Sequence, residues 1–110
     1  MPDSDAMTTI TNDPIARTML AQIGRSNVLA VSGGRVRYLA PGRIELPVRY
    51  GYSVIAEYDP ARDLYDVHRV FTRGLVRTFK GSAFGVFADQ VGDAAYRASC
   101  YRDSFGEHKP

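Results

Sequence analysis

Arg43-Ile44-Glu45-Leu46-Pro47-Val48-Arg49-Tyr50 sets Ile44, Leu46, Val48 and Tyr50 against Arg43, Glu45, Pro47 and Arg49. Side chains of a strand point to alternate faces, so this period of two predicts a half-buried β-strand. Pro47 cannot donate to a ladder, which predicts an edge strand or a bulge at that point.

Working outward, Gly51 breaks the phase and Tyr52 to Tyr58 resumes as a strand. Asp59-Pro60-Ala61-Arg62-Asp63 is a turn, with aspartate before proline as its initiator. Leu64 to Thr72 reads as the next strand, Arg73-Gly74 as a tight turn, and Leu75 to Lys80 as the last strand before Gly81-Ser82-Ala83 loosens the chain. On the other side, Arg35 to Leu39 alternates as a partner strand, closed by Ala40-Pro41-Gly42. The apolar run Val28-Leu29-Ala30-Val31 followed by Ser32-Gly33-Gly34 predicts a further short strand and a hairpin turn.

Helices flank this sheet. Asp13-Pro14 offers a carboxylate cap and a proline at the first helical position; Ile15, Met19, Leu20 and Ile23 then share a stripe, and Gly24 stops the helix. From Phe87 the period returns to 3.6, with Val91, Ala94, Ala95, Ala98 and Tyr101 on one face. Asp89 and Asp93 near its start and Arg97 and Arg102 near its end suit the helix dipole. The expectation is an α+β, two-layer domain over residues 13–102, an antiparallel sheet of about five strands with an N-terminal and a C-terminal helix on one face. Residues 1–12 and 103–110 read as polar tails. The other sheet face is expected to be at least partly exposed.

Composition narrows the class. The 110 residues carry one cysteine, Cys100, so no internal disulfide can form. No apolar run approaches the roughly 18 residues a bilayer span needs. The opening MPDSDAMTTITND lacks a basic segment followed by an apolar one, so no secretory signal is expected and the reading is cytoplasmic. Catalytic machinery is sparse: His68 and His108 are the only histidines, and His68 reads as a sheet residue. The carboxylates Glu57, Asp59, Asp63 and Asp66 straddle a predicted turn and read as turn formers. No paired thiols or histidines stand at metal spacing. The expectation is a protein that is not an enzyme and takes no cofactor or metal.

Partner chemistry concentrates between Arg35 and Lys80, with nine of the fourteen basic residues but five of the twelve acidic ones. Nucleic-acid binding needs cations for phosphates and aromatic faces for bases. Arg35, Arg37, Arg43, Arg49, Tyr52, Arg69 and Arg73 are the candidate binding residues, with Tyr38 and Arg77 beside them. Arg69 is the odd one, because it shares its strand face with Tyr65, Val67 and Phe71. The reading is DNA or RNA binding through a basic Arg/Tyr sheet face. The alternative is a protein-binding module that engages a host protein or forms a homodimer, since Tyr and Arg are also enriched at interface hot spots.

Several segments together carry a resemblance: Leu20-Ala21-Gln22-Ile23-Gly24, Leu29-Ala30-Val31-Ser32-Gly33-Gly34-Arg35, Leu64-Tyr65-Asp66-Val67, Arg73-Gly74, and Gly85-Val86-Phe87-Ala88-Asp89-Gln90-Val91. In that order they resemble a family of small uncharacterised proteins of bacteriophages, prophages and plasmids. The family's polar, histidine-bearing stretch before the last helix is replaced here by Lys80-Gly81-Ser82-Ala83-Phe84. The resemblance implies a mobile-element accessory protein in a bacterial cytoplasm and carries no site residues with it.

Overall fold

A computed structural model describes residues 12–107; the expected N-terminal tail lies outside these apart from Asn12. Helix α1 (Pro14–Ile23) and helix α2 (Arg25–Ser32) precede strands β1 (Arg37–Ala40), β2 (Arg43–Pro47), β3 (Tyr52–Asp59), β4 (Leu64–Arg73) and β5 (Val76–Val86), and helix α3 (Val91–Ser99) follows. The five strands form one antiparallel sheet in sequence order, a meander joined by short turns. The α+β expectation holds, with one helix more than the sequence suggested. Among the described residues no helix is long and apolar enough to cross a membrane.

Helix α1 starts where the sequence puts it. The Asp13 carboxylate accepts from the N–H groups of Ile15 and Ala16, and also from the Tyr38 hydroxyl at 2.8 Å. The Tyr38 bond is the main reason that this carboxyl sits below its ordinary pKa. The cap therefore ties α1 to β1 as well as opening the helix.

Helix α2 corrects the expected strand at residues 28–31. A short apolar run does not distinguish strand from helix by periodicity. Here Val28, Val31 and Ser32 face the core with helical spacing. Gly33 adopts a left-handed conformation at φ 65°, and the N–H groups of Gly33 and Gly34 reach back to the carbonyls of Leu29 and Val28. Ser32-Gly33-Gly34 is thus a helix stop of the Schellman type, not a hairpin.

The core lies between the helices and one sheet face. Met19 and Ile23 of α1, Val28 and Val31 of α2, and Val91, Ala94, Ala95 and Ala98 of α3 meet Ile44, Leu46, Val54, Ala56, Tyr65 and Val67. Small residues on α3 let it approach closely. A Cβ on Gly92 would collide with the Ile23 carbonyl and the Asn27 amide, so this glycine weakens α3 by propensity but permits its contact with the α1–α2 corner. The helix begins at Val91 rather than Phe87, which is exposed.

Two further differences concern the end of the chain. Strand β5 does not stop at Lys80. It passes a register shift opposite Arg69/Val70 and continues to Val86. Residues 103–107 are not free either. Phe105 is buried in the core, and Glu107 exchanges backbone hydrogen bonds of 2.7 and 2.9 Å with Ser82.

The outer sheet face, expected to be partly exposed, is largely closed. Ile55 and Val70 are completely buried there, and Ser53, His68 and Ser82 nearly so. Glu45 on β2 meets Arg77 on β5 at 3.0 Å. Strands three places apart lie roughly 14 Å from each other in a flat sheet. The contact therefore lays both side chains across β3 and β4 and requires the sheet to curl. Of the basic residues on this face, Arg37 and Arg77 stay exposed beside Glu45.

Candidate functional site

Five arginines collect at one end of the sheet. The β2–β3 connection, the C-terminal end of α2 and the C-terminal end of α3 converge there. The chain reverses through Arg49-Tyr50-Gly51-Tyr52, closed by Tyr52 N–H donating to the Arg49 carbonyl at 2.9 Å. Tyr50 has φ 55° and Gly51 φ 87°, the pair of positive angles found in a type I′ turn. Glycine is required at the second position, since a Cβ on Gly51 would strike the Thr72 carbonyl. Tyrosine at the first position is costly, at about 1 kcal/mol for a left-handed non-glycine residue.

Two depressions meet across Arg35, Val48 and Arg49. One, of 680 Å3, runs between the end of α2 and the end of α3 and includes Tyr101 and Arg102. The other, of 370 Å3, lies over the β2–β3 turn and includes Arg37, Tyr50, Tyr52 and Arg77. Five arginines line the joined groove against a single carboxylate, Glu45. That carboxylate is 2 % exposed and already engaged, accepting from the Ser53 hydroxyl at 2.7 Å and pairing with Arg77 at 3.0 Å and Arg37 at 3.6 Å. Glu45 holds the roots of the two guanidinium groups in place and leaves the groove positive.

An aromatic ladder backs one wall. Tyr52 stacks on Tyr101 at 4.6 Å between centroids and 13° between planes. Tyr50 meets the Tyr101 ring edge-on at 6.1 Å, and Phe71 supports Tyr52 from behind at 5.0 Å. The Arg102 guanidinium lies 5.8 Å from the Tyr101 ring centre. Tyr50 ends the ladder with 74 % of its surface free.

Of the seven residues singled out from sequence, Arg35, Arg37, Arg49 and Tyr52 come together in this groove. Arg73 sits at the β4–β5 turn, exposed and outside the groove lining. Arg43 lies at the opposite end of β2, across from Glu57, with its Nε buried and without a hydrogen-bond partner. Arg69 is a structural residue, 4 % exposed. Its guanidinium donates to the carbonyls of Ala98, Arg97, Cys100 and Asp103, at distances from 2.6 to 3.2 Å, and so caps the C-terminus of α3. Burial holds its pKa below the ordinary arginine value. Sequence reasoning missed Tyr50, Tyr101 and Arg102. The helical period carries the expected last helix through Tyr101-Arg102, whereas α3 stops at Ser99 and releases both to the groove.

Two other places carry concentrated chemistry. His68 is held between the Ser82 hydroxyl, 2.7 Å from Nδ1, and the Glu57 carboxylate, 2.8 Å from Nε2. This chain of serine, histidine and glutamate resembles a nucleophile with its base. The Ser82 side chain is buried, however, and its own N–H is bound to the Glu107 carbonyl, so it cannot stabilise an oxyanion. The arrangement satisfies a buried imidazole wedged beside Phe79 and Phe84. The second place is an apolar cleft of 280 Å3 between α1 and the far end of the sheet. Its polar edge is closed by Tyr58 bonded to Asp63 and Tyr65 bonded to Gln22, and burial pushes the Tyr65 hydroxyl up to about 12. The groove keeps a net positive charge, with Arg35, Arg49 and Arg102 outside the ion pairs that Glu45 makes with Arg37 and Arg77. Comparison with known proteins places no relative beside this chain: no family model, no curated protein and no solved structure matches it.

Proposed function

We propose that the protein works by binding nucleic acid through the groove built from Arg35, Arg37, Arg49, Arg77 and Arg102. The observation that carries this reading is the ratio of five guanidinium groups to one buried, already paired carboxylate, beside an aromatic wall. A polyanion gains from such a surface by releasing its condensed counterions. Arginine also spans two phosphate oxygens with its fork. The resemblance to small phage, prophage and plasmid proteins suits an accessory role in handling a mobile element's nucleic acid in a bacterial cytoplasm. The activity is binding without catalysis.

The test is a titration of a fluorescent oligonucleotide at a series of salt concentrations. Three to four phosphates in contact give log K against log salt a slope of about −2 to −3 for a single strand. Absence of binding at low salt, or affinity indifferent to salt, overturns the reading.

One observation favours a second reading, association with a protein or a second copy. Leu75, Val76, Phe79, Phe84 and Phe87 are exposed along edge strand β5 and its flanks. Long apolar edges invite strand pairing. Light scattering over a range of concentrations should then show a dimer; a monomer throughout counts against self-association.

A further inference from the structure

We infer that the groove selects single-stranded over duplex nucleic acid, and that Tyr50 is the stacking platform that makes the selection. The inference rests on the groove reading above and adds the form of the ligand.

Three features meet at Tyr50. The first is conformational: it is one of two non-glycine residues with positive φ among those described, at the turn position where asparagine, aspartate or glycine is favoured. Backbone strain of this kind is retained where surrounding structure imposes it, and it concentrates at ligand sites. The surroundings here do not need a tyrosine, because the ring is 74 % exposed and buries little. The second feature is support. Tyr101 meets Tyr50 and is itself stacked on Tyr52, which Phe71 backs, so the ring stands on a rigid column. The third is position: Tyr50 borders the groove whose shared rim is Arg35 and Arg49. A base stacked on the free face of Tyr50 therefore leaves its phosphates beside these two guanidinium groups.

This geometry discriminates by access. In a duplex the base faces are covered by their neighbours, and reaching one requires unstacking. Duplex readers place a helix or ribbon in the major groove. The element presented here is a concave groove with a ring on its rim, which follows one unpaired strand. Stacking on an aromatic ring tolerates every base, so the preference is for strandedness and not for sequence.

The experiment uses the full chain and two substitutions at this exposed turn. The sequence contains no tryptophan, so Tyr50→Trp supplies a single reporter. An unstructured pyrimidine oligonucleotide should quench its emission, while a blunt duplex of the same charge should bind more weakly and leave the emission largely unchanged. Tyr50→Asn relieves the backbone and should melt at or above the wild-type temperature. Its single-strand affinity should nevertheless fall about tenfold, the loss of one stacked base, and its preference for single strands should largely vanish. Wild-type affinity for single strands in Tyr50→Asn, or equal affinity of the wild type for both forms, overturns the inference and leaves the groove reading standing. Failure of the wild type to bind either form overturns both.

Discussion

Arg69→Ala should lose about 3–5 kcal/mol of stability, the largest effect of any single substitution at the candidate residues. The side chain donates four hydrogen bonds, to the carbonyls of Arg97, Ala98, Cys100 and Asp103. Three of these carbonyls belong to the end of α3. Those of Arg97 and Cys100 also accept from the N–H groups of Cys100 and Asp103, whereas that of Ala98 lies in the last turn, where intrahelical donors run out. The charge is matched by the negative end of the helix and not by a carboxylate, as no ion pair with Arg69 exists among the described residues. Truncation leaves the Ala98 and Asp103 carbonyls without their donor, opens a cavity beside Phe105 and frees the 103–107 segment, whose Glu107 pairs with Ser82 at one point of the β5 edge. A small domain has 5–15 kcal/mol in total. The melting temperature should therefore drop by roughly 15 °C or more. Arg69→Lys should recover only part of the loss, because one ammonium cannot span four acceptors in a fork. Arg73→Ala, at an exposed turn, should stay within about 0.5 kcal/mol of wild type. An Arg69→Ala protein melting within a few degrees of wild type would show that the cap carries little.

The same residue illustrates how far the sequence is legible. Alternation put Arg69 among Tyr65, Val67 and Phe71, on a core-directed face, and its odd placement was visible. Its partners were not, since they are backbone carbonyls some thirty residues away that no side-chain pattern announces. The strands from Arg43 to Arg73 were legible where alternation and turn residues agree. The exception is β2, which ends at Pro47 between β1 and β3 with no bulge there, so that Pro47 closes an interior strand and residues 49–52 turn where alternation promised strand to Tyr50. Helix α2 was not, because Val28-Leu29-Ala30-Val31 satisfies either period. Only the pairing of Gly24 before the run with Gly33 after it marks a helix start and stop. The binding candidates were found by composition, which identifies residue types and not their direction. Composition therefore captured Arg35, Arg37, Arg49 and Tyr52 along with Arg43, Arg69 and Arg73, which point elsewhere or serve the fold. Tyr101 and Arg102 escaped because they follow a helix end whose position depends on the Arg69 cap. Fold and site thus share a hinge: the cap that ends α3 also delivers two residues to the groove.

Because Arg69 serves the fold, the decisive test of binding must avoid it. Arg35→Glu/Arg49→Glu should weaken nucleic-acid affinity about 100-fold near 0.1 M salt, or about 2.7 kcal/mol. Both residues line both depressions, so reversing them places like charge against the phosphates at the centre of the groove. The salt slope should fall by about one or more as two phosphate contacts disappear. The fold should survive, because both side chains are exposed. Arg35 makes one long contact, Nε to the Ser32 carbonyl at 3.3 Å, and a glutamate beside that helix end should cost about 0.5 kcal/mol. General electrostatics must be separated from the site, since any such reversal also takes the formal net charge from +2 to −2. Arg17→Glu/Arg62→Glu makes the same change away from the groove: Arg17 is on α1, and Arg62 is in the β3–β4 turn at the opposite end of the sheet. That control should lose only a few-fold, because exposed charges more than about 10 Å apart are screened at this salt. Equal losses in the two double variants would mean that the chain attracts nucleic acid by net charge alone and that the groove is not its site. A large loss confined to Arg35 and Arg49 localises binding to the end of the sheet where α2, the β2–β3 turn and α3 meet.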